Sequence, residues 1–121
     1  TPPPVPDIYE PWCDERGRHS VTVRSIMQVV ADEYGITVSD IRGPKRPKAL
    51  SVPRQIVMYL AREMTEFSWP MIGSFMRGRD HSTIIHGWRR TKARIEQDAD
   101  FARRVEVIRE RVFAKREAHN V

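Results

Sequence analysis

The stretch Gly78-Arg79-Asp80-His81-Ser82-Thr83-Ile84-Ile85-His86 constrains this fold more than any other. Glycine breaks regular structure, and Asp80 is a residue type that caps helices. The residues after it open an amphipathic helix. Just ahead, residues 68–76 form a short helix. Ser68 is its cap, Trp69 and Pro70 lie in its first turn, and Ile72, Phe75 and Met76 point inward. Residues 77–80 are a tight turn between the two. A short helix, a tight turn and a longer helix near 81–98 have helix-turn-helix proportions. Ile84, Trp88 and Ile95 are expected to form the buried face of the second helix. Ser82, His86, Arg89 and Arg90 are then on its outer face.

The rest of the chain supports an all-α reading. Val23, Ile26, Met27, Val30 and Tyr34 recur at three- and four-residue spacing, and Gly35 is a natural stop. Residues 36–41 predict one short turn of helix capped by Ser39 or Thr37. The run Gly43-Pro44-Lys45-Arg46-Pro47-Lys48 breaks regular structure and concentrates charge. Ser51, with Pro53 two places on, looks like a helix start, followed by a stripe of Ile56, Leu60, Met64 and Phe67. Asp100 is expected to cap a last helix carrying Phe101, Val105, Ile108 and Val112. Strand signals are weak throughout. The expected architecture is a bundle of five to six helices, Trp-repressor-like. Residues 1–18 are expected to be a flexible Pro-rich arm that Trp12 could dock, and 19–121 the domain.

Charge narrows the partners. The net charge is +5, but residues 1–33 hold three basic and six acidic residues, whereas 34–121 hold 18 basic and 10 acidic. The positive field therefore belongs to the folded body, and such a field suits nucleic acid or an acidic membrane. Cys13 is the only cysteine, which excludes an internal disulfide or a multi-thiolate zinc site and fits a reducing compartment. No apolar run approaches the roughly 18 residues of a membrane span, and no signal-peptide core is evident. The expected location is cytoplasmic and nucleoid-associated. Thr1 is a residue of the kind left when an initiator Met is trimmed, and a cut domain would look the same.

The residues themselves suggest the contacts. A carboxylate at Asp80 can cap the helix and accept from a cytosine amine. His81 and Thr83 offer a polar atom together with an apolar surface suited to a thymine methyl. An ordinary cap and an ordinary surface histidine are the plain alternatives, and for His86, a turn further in, the plain one is favoured. Residues 42–62 hold Arg42, Lys45, Arg46, Lys48, Arg54 and Arg62 and no acidic residue. A solvated charged loop is one reading. Phosphate or minor-groove contact is the other, and the stiffening prolines favour it. The helix start at Trp69–Pro70 could seat a phosphate, or Trp69 could simply pack. Arg54 is expected to meet phosphate, so that its loss would weaken specific and nonspecific DNA alike.

In order and spacing, Pro53-Arg54-Gln55, Ile72-Gly73 and the 78–86 run resemble the C-terminal DNA-binding domain of the bacterial replication initiator DnaA. The resemblance covers about residues 20–112. It implies double-stranded DNA as the partner, at DnaA boxes with a consensus like TTATNCACA, with one monomer per site. By position it implies that Arg46 enters the minor groove and that Arg54 and Gln55 contact DNA. It places Arg62 near phosphate, and Trp69 and Pro70 at the backbone. It makes Asp80, His81, Ser82 and Thr83 major-groove readers, flanked by Arg79 and Arg90. Ser82 replaces the commoner threonine, Arg77 stands where a second glycine is frequent, and Trp69 and Trp88 are bulkier than usual. No Gly-x-x-x-x-Gly-Lys-Ser/Thr loop occurs in the sequence, so these residues bring no ATPase and no cofactor is expected. The Pro-rich arm is unlike the expected linker helix, which favours a small stand-alone protein over an excised domain.

Other classes fit less well. His81 and His86 are five residues apart and do not share a helix face as paired metal ligands do, so neither an enzyme nor a metal site is expected. A transcription regulator with an unrelated operator shares the motif. A protein-interaction module acting on the full-length initiator through the arm could coexist with DNA binding.

Overall fold

The computed structural model describes residues 21–44 and 47–120, with side chains to residue 115. The N-terminal arm with Trp12, and Lys45 and Arg46 of the basic loop, lie outside the described residues. The described residues form six α-helices and one 3-10 turn, with no strand among them.

Helix α1 (Val23–Tyr34) starts with a capping box. Thr22 Oγ1 accepts from the Ser25 N–H at 2.9 Å, and Ser25 Oγ accepts from the Thr22 N–H at 3.2 Å. The helix ends at Gly35, whose φ of 66° is the left-handed stop that glycine adopts without strain. Helix α2 (Val38–Arg42) repeats the device with Thr37 and Asp40, so Thr37 and not Ser39 is the cap. A 3-10 turn (Lys48–Leu50) then feeds α3 (Ser51–Met64). Ser51 does not cap α3 as expected. The chain arrives already helical at Leu50, with its N–H bonded to the Pro47 carbonyl at 3.0 Å.

Helix α4 (Trp69–Phe75) is capped by Ser68 Oγ, which accepts from the Met71 N–H. Helix α5 (His81–Gln97) follows the turn, and α6 (Ala99–Asn120) follows after a single residue. Asp98, not Asp100, caps α6, accepting from the Phe101 N–H at 3.1 Å. With only Asp98 separating the helices, the last one begins earlier than its apolar stripe suggests, and Asp100 is left exposed.

Helix α3 is central, packed on α5 and α1. Helix α1 also meets α6, and α5 meets α4 and α6. Ile26, Ile56, Leu60, Ile72, Ile84 and Ile108 bring five helices into one core and are fully buried. Each contributes about 1.5–3 kcal/mol by leaving water. The inner face of α5 differs from expectation. Ile84, Gly87 and Thr91 are buried, whereas Trp88 and Ile95 are only half-buried. Close crossing of α3 and α5 is the reason. A Cβ on Gly87 would lie 2.2 Å from Met58 Sδ, so any larger residue there would push the Met58 side chain aside. Trp88 is displaced to the edge of the contact.

Candidate nucleic-acid interface

Two helices and the turn between them build this surface. Helix α4 ends at Phe75 with Met76 as its C-cap, and the chain turns through Arg77 and Gly78 with φ of 66° and 75°. Arg77 is the one non-glycine residue with positive φ among the described residues, a conformation costing about 1 kcal/mol for a residue with a Cβ. The turn closes tightly on α4. The Arg79 N–H donates to the Gly73 carbonyl at 3.0 Å, and a Cβ on Gly73 would lie 2.2 Å from the Arg79 carbonyl oxygen.

Asp80 caps α5 as its sequence position predicts. Its Oδ2 accepts from the Ser82 N–H at 3.0 Å and from the Ser82 hydroxyl. Those hydrogen bonds hold the Asp80 carboxyl below its ordinary pKa, with a smaller contribution from His81. His81 Nδ1 lies 3.8 Å from the other carboxylate oxygen. Asp80, His81, Ser82 and Thr83 are all exposed, so the first turn of α5 presents a carboxylate, an imidazole and two hydroxyls to solvent. His86, Arg89 and Arg90 continue the exposed face.

Beside this turn opens a hollow of about 610 Å³, between the start of α3 and the start of α5. Pro44, Pro47, Ser51 and Gln55 line one side, and Asp80 and Thr83 the other. Gln55 therefore shares one opening with Asp80 and Thr83, although Thr83 lies 28 positions further along the sequence. Lys48 is exposed at the base of the loop.

The arginines divide into two kinds. Arg54 is only 8% exposed and lies in the wall of this hollow, with its guanidinium on main-chain carbonyls. Its Nε donates to the Ile41 carbonyl at 3.0 Å, and one terminal nitrogen donates to the carbonyls of Asp40 and Gly43 at 2.8 and 2.9 Å. Arg79, half-buried, donates to the carbonyls of Met76 and Gly43 at 2.9 Å each and of Arg42 at 3.2 Å. Arg42 Nε donates to the Phe75 carbonyl at 3.0 Å. The Gly43 carbonyl is thus held from both sides: Arg42 and Arg79 join the end of α2 to the turn of the helix pair, and Arg54 joins it to α3. The periodicity of α3 could have disclosed this. Residues 54, 57, 58 and 61 share a stripe, and Val57, Met58 and Ala61 are buried beside Arg54.

Arg62 and Trp69 also have structural partners. The Arg62 guanidinium carbon lies 4.4 Å from the Trp69 ring centre, and one terminal nitrogen donates to the Phe67 carbonyl at 3.3 Å. Trp69 meets Trp88 edge-on at 5.7 Å, and Trp88 Nε1 donates to Glu63 at 2.9 Å. Trp69 therefore packs, with Pro70 exposed next to it. No group of three or more His, Cys, Asp or Glu side chains that could hold a metal occurs among the described residues, and none of their helices is long and apolar enough to cross a membrane.

This fold and this turn define a helix-turn-helix domain. The bacterial dnaA protein helix-turn-helix family matches residues 23–91. The chromosomal replication initiator protein DnaA of Citrifermentans bemidjiense is 44% identical over 93 residues, covering 77% of this chain and 20% of that protein. The DnaA of Caldanaerobacter subterraneus is 42% identical over 92 residues, 76% of this chain and 20% of its own length. A crystal structure of a DNA replication initiation factor superposes with a TM-score of 0.68 at 32% identity, covering 77% of this chain and 28% of that one. The chain belongs to the DnaA family and matches its C-terminal helix-turn-helix domain, spanning about a fifth of the length of these curated relatives.

Proposed function

We propose that this chain binds double-stranded DNA sequence-specifically at DnaA-box-like sites and acts in, or regulates, replication initiation. The observation that carries the reading is the exposed, capped first turn of α5. Asp80, His81, Ser82 and Thr83 stand free of the core at the helix end that meets base edges in a helix-turn-helix domain. In the major groove, each good base contact from this turn contributes about 1–3 kcal/mol of discrimination. Arg46, on the proline-flanked loop, enters the minor groove. Lys45, Lys48, Gln55, Arg62, Arg77, His86 and Arg90 meet or approach the backbone. Arg54 and Arg79 hold the loop and the turn in mutual register. Any ATP-dependent step comes from elsewhere, because no phosphate-binding loop lies in this sequence.

The test is fluorescence anisotropy with a short labelled duplex carrying TTATCCACA and a scrambled duplex, each at two salt concentrations. The expected result is a preference of about a hundredfold for the box. Affinity should fall by roughly a thousandfold from low to moderate salt if about 6 phosphates are neutralised. Equal binding to both duplexes would overturn box recognition and favour an unrelated operator. No binding at either salt would overturn the reading as a whole.

A further inference from the structure

We infer that Arg77, with Arg42 and Ser39, forms a second seat for a backbone phosphate of the bound duplex, outside the recognition helix. The inference rests on the DNA-binding reading above and extends its contact surface across the turn. A hollow of about 350 Å³ lies between the start of α2 and the turn, lined by Val38, Ser39, Arg42 and Arg77. Two guanidinium groups and a hydroxyl-bearing residue line it, and no carboxylate does. Such a lining attracts an anion with several acceptor oxygens. The larger hollow beside Gln55 and Thr83 also has Arg42 and Arg77 in its wall, so the two openings share a border. A strand whose bases meet the first turn of α5 would carry its phosphates toward that border.

The two arginines differ in a way that suits this role. Arg42 is anchored through Nε to the Phe75 carbonyl, which fixes one side of the hollow. Arg77 is exposed, and no hydrogen bond or ion pair holds its side chain among the described residues. Its backbone is left-handed, and the next residue, Gly78, is too. Glycine would occupy position 77 without strain. Arg77 carries this strain where glycine would carry none, and strain of this sort collects at binding sites.

The experiment uses the full chain and its Arg77→Gly and Arg77→Lys variants. Anisotropy on box and scrambled duplexes is measured across a salt series, alongside thermal unfolding. For Arg77→Gly, the slope of log affinity against log salt should fall by about 1, with affinity lowered roughly fivefold on both duplexes. The preference for the box should be unchanged, and the melting temperature no lower than that of the parent. Arg77→Lys should retain the parent slope. An unchanged slope in Arg77→Gly, while the parent binds both duplexes normally, would overturn the second seat and leave the DNA-binding reading intact. A lost box preference at unchanged slope would also overturn it, since Arg77 would then act through the start of α5. Failure of the parent chain to bind either duplex would overturn both readings together.

Discussion

Arg54 and Arg79 sit beneath the interface with their guanidinium groups on main-chain carbonyls, whereas Arg89 and Arg90 on α5 stand in solvent. All four belong to the same positive surface when the chain is read as a string of charges. In the fold, one pair determines where the loop and the turn are, and the other contributes to the field outside. A charge count treats these roles alike, but mutation should not. Losing a buried donor leaves carbonyls without partners, whereas losing a solvated one removes only long-range attraction.

The largest effect is expected at the buried junction. Arg54→Ala removes the donor to the carbonyls of Asp40, Ile41 and Gly43 and should destabilise the fold by about 3 kcal/mol, read by denaturant unfolding. Unfolding midpoints within error of the parent would break the distinction between the two arginine pairs. Gly73→Ala tests the same junction from the α4 side. Its new methyl meets backbone, which cannot step aside as a side chain can, so a loss of about 2 kcal/mol is expected.

His81→Ala should leave thermal stability near the parent value, because the side chain is exposed. It should lower the ratio of box to scrambled affinity by about 1–3 kcal/mol. Equal losses on both duplexes would remove His81 from the readers. Arg90→Ala sharpens the contrast further. Stability should stay within about 0.5 kcal/mol of the parent. The salt slope should fall by about 1 on every duplex.

The smallest effect concerns the cap of α5. The Asp80 carboxyl is held below its ordinary pKa in the folded state, chiefly by its hydrogen bonds from Ser82. Its contribution is therefore complete above the unfolded carboxylate pKa and is lost as pH falls through the lower folded value. The Ser82 amide resonance, followed by NMR through acid titration, should move in that acid window and hold steady at neutral pH. A Ser82 shift centred at or above the ordinary carboxylate value would contradict the cap geometry.

Much of this architecture was legible in the sequence because its helices carry their own signals. Thr22, Thr37, Ser68 and Asp80 each precede a helix and accept from its first turn, and Gly35 ends one. Those are local hydrogen-bond and backbone preferences, readable within four residues. The stripes of α1 and α6 were legible for the same reason, since a period of 3.6 needs no knowledge of the neighbour. Failures fell where two elements meet. Trp88 looked like core by its size and spacing, but Gly87 and Thr91 occupy the buried face, with Met58 and Gln55 of α3 packed over Gly87. Asp100 looked like a cap, but the single-residue joint after α5 gave that role to Asp98.

The sequence by itself determined the helix-turn-helix order, the polar first turn of α5 and the sign of the surrounding charge, because each depends on neighbours along the chain. Tertiary structure alone decided which arginines hold the chain's own carbonyls. Arg54 and Arg79 converge on the Gly43 carbonyl from residues 11 and 36 positions away. Carbonyls at the end of a short helix need donors, and only the folded chain brings those guanidinium groups within reach of them.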